Sequence, residues 1–240
     1  MDYAKDRTLS LQILTVVSVI LFAVSNILNF TYPGADDALG EVQRLFYIHL
    51  GSFFGAFVMF GAALLGGIQY LRTRENKWDT LGLAGVEIGL ALSSITILTG
   101  AIWARPAWGT FWTWDPRLTT IAIMWLVYAA YLFLRASIMD PDQRMRFAAV
   151  YAIFAFGSVI LTIIIIRVRP DVIHPVVAGP TTNSDSALGE FNLTDRIRNT
   201  VLFSTFVYIW ISITLSWHRI RLENRQNNIA ARKLQLLENL

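Results

Sequence analysis

The sequence predicts an all-α, polytopic membrane protein: a bundle of about six transmembrane helices with N- and C-termini cytoplasmic. Three observations carry that prediction. Charged residues make up 15% of the chain and hydrophobic ones 55%, whereas a soluble domain usually carries about 25% charged residues. The missing charge is stripped from long stretches rather than thinned evenly, as in a chain adapted to lipid. The lysines and arginines that remain are divided unequally between the two sides those stretches define.

A hydrocarbon core about 30 Å thick needs about 20 apolar residues of helix. Runs of that kind cover 9–30, 46–71, 81–103, 118–138, 147–168 and 197–217. Pro33 and Gly34 follow the first, Pro106 the third and Pro170 the fifth, while Pro141 separates the fourth from the fifth. The first run lacks a convincing small-residue cleavage site and reads as a retained helix. With the N-terminus inside, thirteen Lys and Arg residues fall on inner segments, all the lysines among them, and seven arginines fall on outer ones. The outer loops then run at about 31–45, 104–117 and 169–196, and the third contains the polar stretch 181–186. The chain reads as one membrane domain, 1–240, with a Trp-rich outer loop at about 103–117. A mixed-charge cytoplasmic tail, about 219–240, is able to continue as helix.

The absence of cysteine excludes a disulfide scaffold, an iron–sulfur cluster, a thiolate-ligated metal and covalent c-type haem attachment to this chain. What remains for chemistry lies on the outer side. Four of the eight tryptophans, Trp103, Trp108, Trp112 and Trp114, crowd into the second outer loop. An interfacial aromatic belt accounts for one or two of them, but belts spread around a bundle. Trp108 and Trp112 are four apart, so a short helix places both on one face, and such a face suits a large, flat, apolar ligand.

Two of the three histidines, His49 and His174, also fall at the outer side, in different segments. His218, at the inner end of the sixth run, reads as an interfacial polar residue. Two neutral imidazoles suit the two faces of a haem iron. They are too few alone for zinc, although Asp115 or Asp171 is available to add a carboxylate. Arg44, Arg105, Arg117 and Arg169 lie near the same face, where arginine binds carboxylates in bidentate fashion or contacts lipid headgroups. Asp115 is best placed to cap the helix beginning near Leu118 or to pair with Arg117. Glu87, several residues inside the third run, is a costly carboxylate in lipid and needs a partner, a bundle-facing position or a proton.

The pattern Trp108-Gly-x-x-Trp112-x-Trp114-Asp115 resembles the WWD signature of haem-handling proteins in cytochrome c assembly. With the Arg44-x-x-Tyr47-x-His49 segment, the second outer histidine and the six-helix length, the resemblance is to the CcmC family, from the first helix to the sixth. It implies a haem-binding, haem-delivering protein of the bacterial cytoplasmic membrane, without turnover chemistry of its own. Haem b would be held non-covalently at the outer face and passed to a CcmE-like haem chaperone, together with a CcmA/CcmB-like ABC transporter and a CcmD-like small subunit. Carried over, His49 and His174 would be axial ligands. Trp108, Trp112, Trp114 and Asp115 would form the platform, and Arg44 and Arg117 would contact the propionates or the loop. The chain departs from the family pattern at Gly51, where proline is common, and before His174, where Arg167-Val-Arg-Pro replaces a Trp-rich stretch. A membrane b-type cytochrome, a larger-type haem lyase and an unrelated solute transporter using Glu87 are the alternative readings.

Overall fold

The computed structural model describes residues 3–34, 39–169, 171–174 and 194–238. Six helices follow one another: α1 (Tyr3–Thr31), α2 (Leu45–Thr73), α3 (Asn76–Trp108), α4 (Pro116–Ser137), α5 (Pro141–Val168) and α6 (Asp195–Glu238). A 3-10 turn, Glu41–Arg44, leads into α2. Each of the six helices is long and apolar enough to cross a membrane. Alternation brings the start of α1 and the end of α6 to one end, here the terminal end. The α1–α2, α3–α4 and α5–α6 connections lie at the opposite end. Of the third expected outer loop, 175–193, including the polar stretch 181–186, falls outside the described residues.

The helix boundaries differ from those the sequence predicts at two prolines. Pro141 opens α5 instead: Asp140 caps it, its carboxylate accepting the Gln143 N–H at 2.7 Å, and a proline at the first helical position leaves no needed donor missing. Pro106 sits inside the last turn of α3, which ends two residues later at Trp108 and is capped by Gly109 (φ 74°), whose N–H donates to the Arg105 carbonyl at 3.0 Å. The left-handed conformation that ends the helix comes without steric cost at glycine. The Trp-rich segment is therefore helical through Trp108, and only residues 109–115 are irregular. Asp115 caps α4, accepting the Leu118 N–H at 2.8 Å, and α6 runs without a break through the tail to Glu238.

Lipid offers no hydrophobic drive between apolar helices, so small residues and interhelical hydrogen bonds decide which helices meet. At the terminal half, α2 and α3 touch backbone to backbone. A Cβ on Gly66 would lie 2.7 Å from both the Gly82 nitrogen and the Trp78 carbonyl oxygen, and one on Gly85 would lie 2.6 Å from the Met59 oxygen. Gly67 admits α5 in the same way, against the Ala149 carbonyl at 2.7 Å. Two ion pairs close this half. Arg135 on α4 grips Asp79 on α3 with both guanidinium nitrogens, at 2.5 and 2.9 Å. Glu87, the isolated carboxylate of the sequence, receives two bonds from Arg219 on α6, which also holds Glu223 at 2.8 Å. Helix α1 is attached to α6 by a hydroxyl seam: Ser18 to Thr214 at 3.0 Å, Ser25 to Ser204 at 3.2 Å, and Ser204 donating to the Asn29 side-chain oxygen at 2.7 Å. His218 bonds Thr15 at 2.7 Å in the same seam.

Candidate functional site

At the end away from the termini, α2 to α6 stand apart around a cavity of about 550 Å³ with almost wholly apolar walls. That size falls within the range for sites that bury a small organic ligand, about 300–1,000 Å³. Helical spacing explains which side chains face it. On α2, Phe46, His49, Leu50, Phe53, Phe54 and Phe57 recur at three- and four-residue steps, and on α6 Arg198, Val201, Leu202 and Thr205 do the same.

His49 and His174 both line this cavity, with ring centres 6.3 Å apart and planes inclined by 32°. Two imidazoles bound to opposite sides of one metal at about 2 Å each have ring centres roughly 6 Å apart. The His49 ring is fixed from α3. Its Nδ1 lies 2.9 Å from the Thr96 carbonyl oxygen, which can only accept. Nδ1 is therefore the protonated nitrogen, and Nε2 keeps its lone pair. A backbone carbonyl on the far nitrogen is the usual support of a metal-ligating histidine. Ser52 ties the same crossing, bonding both the His49 carbonyl at 3.0 Å and the Thr96 hydroxyl at 2.9 Å. Gly100, one turn beyond Thr96, leaves the ring its space: a Cβ there would lie 2.8 Å from His49 Cε1.

His174 follows the end of α5 by six residues. Arg169 grips Asp171 through two bonds of 2.8 and 2.7 Å, and Val172, next in the chain, is buried. The guanidinium keeps the Asp171 carboxyl below its ordinary range and is itself raised by that carboxylate. The His174 ring packs edge-on to Trp108 at 6.3 Å, and Trp108 edge-on to Trp103 at 5.8 Å. Trp103 reaches Gln43 with its indole N–H at 3.3 Å. Among the described residues no third imidazole or carboxylate joins the two histidines to make a three-ligand cluster.

Five of the eight residues singled out in the sequence are thus brought to one cavity: His49, His174, Trp108, Trp112 and Arg117. Trp108 and Trp112 reach it from the end of α3 and from the irregular segment after Gly109, not from one short helix as their spacing suggested. Three others stand elsewhere. Trp114 is 77% exposed and packs on Trp112 at 5.8 Å. Asp115 caps α4 through Oδ1, its Oδ2 being buried with no hydrogen-bond partner among the described residues. Arg44 is turned to Glu41 and lies over the Phe30 ring at 5.8 Å.

The arginines sort by partner. Arg105 bonds the Gly109 carbonyl and covers Phe111, and Arg169 holds Asp171. Arg117 faces the cavity, donating to the Thr162 carbonyl at 2.6 Å with its guanidinium over Phe53 at 5.4 Å. Two further arginines, Arg167 and Arg198, join it on the wall, Arg198 also pairing with Asp195 at 2.7 Å. Their helical register was the available signal: Arg198 shares its face with Val201, Leu202 and Thr205. Gly100 and Thr96 were missed as well. They lie one turn apart on a helix, but only the crossing of α2 over α3 gives that spacing a meaning.

The donor set fits a flat apolar ligand with a metal at its centre and anionic groups at its edge. Two imidazoles supply the metal ligands, tryptophan and phenylalanine rings the apolar faces, and three guanidinium groups the counter-charge. Trp112 Nε1 and the Thr205 hydroxyl, on two residues of the cavity lining, are buried with no hydrogen-bond partner among the described residues.

Residues 3–235 match the family described as CcmC, heme exporter protein C. The chain is 31% identical over 151 residues to the heme exporter protein C of Bradyrhizobium diazoefficiens, covering 63% of this chain and 56% of that one. It is 26% identical over 212 residues to that of Escherichia coli, covering 87% of this chain and 81% of the relative. It is also 34% identical over 132 residues to the cytochrome c biogenesis protein CcsA of a Synechococcus strain, 53% of this chain and 40% of that protein. Several of these matches span only about half the length of the curated relative. With a family match that runs nearly from end to end over six membrane-spanning helices, the chain belongs to the CcmC, heme exporter protein C, family.

Proposed function

We propose that this protein acts in cytochrome c maturation, binding haem b non-covalently at the outer face of the bacterial cytoplasmic membrane and handing it on. The observation that carries the reading is the pair of imidazoles, 6.3 Å apart on the wall of one apolar cavity. His49 and His174 serve as axial ligands, and Arg117 with its neighbours Arg167 and Arg198 offsets the propionate charge. Trp108 and Trp112 cover the ring. The preponderance of Lys and Arg on the segments of the terminal end supports cytoplasmic termini and a site on the outer face. The cargo is then presented to a CcmE-like haem chaperone, in company with a CcmA/CcmB-like ABC transporter and a CcmD-like small subunit. No side chain here is asked to make or break a covalent bond. The chain's work is to ligate, orient and release.

The test is a visible spectrum of the purified protein with haem supplied, oxidised and reduced, for wild type and for His49→Ala/His174→Ala. A six-coordinate low-spin spectrum in the wild type, lost in the double variant, is the expected result. An unchanged spectrum in the variant would remove the axial assignment. A wild type that never binds haem would remove the haem reading altogether.

A further inference from the structure

Among the described residues the cavity is also open on one side, between α5 and α6. Helix α2 is surrounded on three sides. Helix α3 backs it along its length, α6 meets it at Gly51 and Gly55 through Tyr208, and α5 meets it at Gly67 and through the Phe57–Phe156 ring contact at 6.3 Å. The fourth side has no neighbour among the described residues. Phe54 is 39% and Leu65 58% exposed along it, and a Cβ on Gly61 would meet nothing within 4 Å. These positions recur at helical spacing and look out between α5 and α6, which have no packed interface of their own.

The slot and the cavity share residues. Phe54 on α2, Ile163 on α5 and Leu202 on α6 line the cavity. Leu202 is 61% exposed and begins an outward stripe continued by Phe206 and Ile213. Counting 1.5 Å per residue from the nearest helix end, these three side chains lie roughly 8–14 Å inside the bundle. That depth is in hydrocarbon rather than among headgroups. Arg167 and Arg198 stand on the cavity wall one turn nearer the helix ends, on either side of the slot.

We propose that the planar apolar cargo exchanges between the cavity and the outer leaflet laterally, through the slot between α5 and α6. The ring moves among Phe54, Ile163 and Leu202 while its carboxylates stay at the level of Arg167 and Arg198. A flat amphiphile with anionic groups on one edge would have to leave the lipid for water to enter from above, whereas the slot lets it keep its apolar surroundings throughout. The inference rests on the haem reading for the identity of the cargo, and on the packing of α2, α5 and α6 for the route.

The chain has no cysteine, so an Ile163→Cys/Leu202→Cys pair carries the only thiols. In nanodiscs, haemin loading from donor vesicles would be followed by absorbance before and after the pair is joined with a cleavable bifunctional thiol reagent. Joining is expected to slow loading about tenfold or more, as closing a gate does. Cleavage should restore the rate, and a monofunctional reagent should slow it far less. Equal rates with the slot joined would overturn the lateral route. A second readout needs no haem: a nitroxide on Thr205→Cys should relax with oxygen, which concentrates in lipid, far more than with a water-soluble nickel chelate. The reverse order would overturn the opening to lipid. Oxygen-dominated relaxation in a protein that binds no haem would leave the slot standing and remove the cargo's identity instead.

Discussion

At the terminal end of the bundle, helices meet backbone to backbone and charge to charge; at the other end the same helices stand apart around an apolar cavity. Helix α2 passes through both halves, and the contrast is written along it. Gly66 and Gly67 let α3 and α5 approach to contact near its end, with Asp79–Arg135 and Glu87–Arg219 clamped alongside. Near its start α6 still comes close at Gly51 and Gly55, and phenylalanines at helical spacing with His49 face the cavity on the remaining side. A bundle without a hydrophobic drive between helices needs one half packed tightly enough to hold the other half open. The tight half holds the structure, and the open half is free to bind.

If that division holds, variants in one half should leave the other's observable alone. The largest effect is expected in the tight half. Arg135→Met leaves Asp79 buried without its partner, which costs about 3–5 kcal/mol. Thermal melting in detergent should show it, while the protein that remains folded keeps the wild-type haem spectrum. A normal melting temperature would break the claim that this pair closes the bundle. In the open half, His49→Ala should weaken haem binding by more than about 100-fold, since supporting residues of metal ligands alone cost about 10–100-fold. Its apo form should melt near the wild-type temperature. A large drop in stability would show that His49 is packing rather than ligand.

A smaller effect sharpens the boundary between the halves. Gly100→Ala adds a Cβ 2.8 Å from the His49 ring and should reduce haem affinity about tenfold by displacing a ligand it never replaces. Wild-type affinity in a titration would mean that the ring yields freely. The smallest effect is expected inside the Trp-rich motif itself. Trp114→Ala, at an exposed position, should change affinity by less than about twofold, as surface substitutions usually do. Trp112→Ala, on the cavity wall, should exceed it clearly. Equal losses in the two variants would put Trp114 on the ligand despite its exposure, or show that the motif acts as one unit.

The corrections made by the structure have common causes. Proline disrupts helix interiors, which makes Pro106 and Pro141 read as boundaries, yet Pro106 sits in a final turn and Pro141 at a first position, where the missing N–H is not needed. Arg44 was chosen from its place in a motif, but local geometry turns it to Glu41. Gly51, the departure from the family's proline, turns out to be where Tyr208 comes closest: a Cβ would lie 2.6 Å from that ring. Glu87 could be recognised as a costly buried charge, but its partner Arg219 is 132 positions away along the chain.

By itself the sequence determined the membrane class, the number of helices and the end of the bundle at which histidine, tryptophan and arginine gather. Each of these depends on composition over about 20 residues or on spacing within a few turns, and both are local properties of a chain. Only the tertiary structure decided that Arg117, Arg167 and Arg198 share a wall while Arg44 does not. It alone paired His49 with Thr96 and Gly100, left Trp114 outside, and opened a slot between α5 and α6. Those outcomes depend on the rotation of each helix about its axis and on how closely its glycines let a neighbour approach, and both are fixed by contacts between segments far apart in the chain.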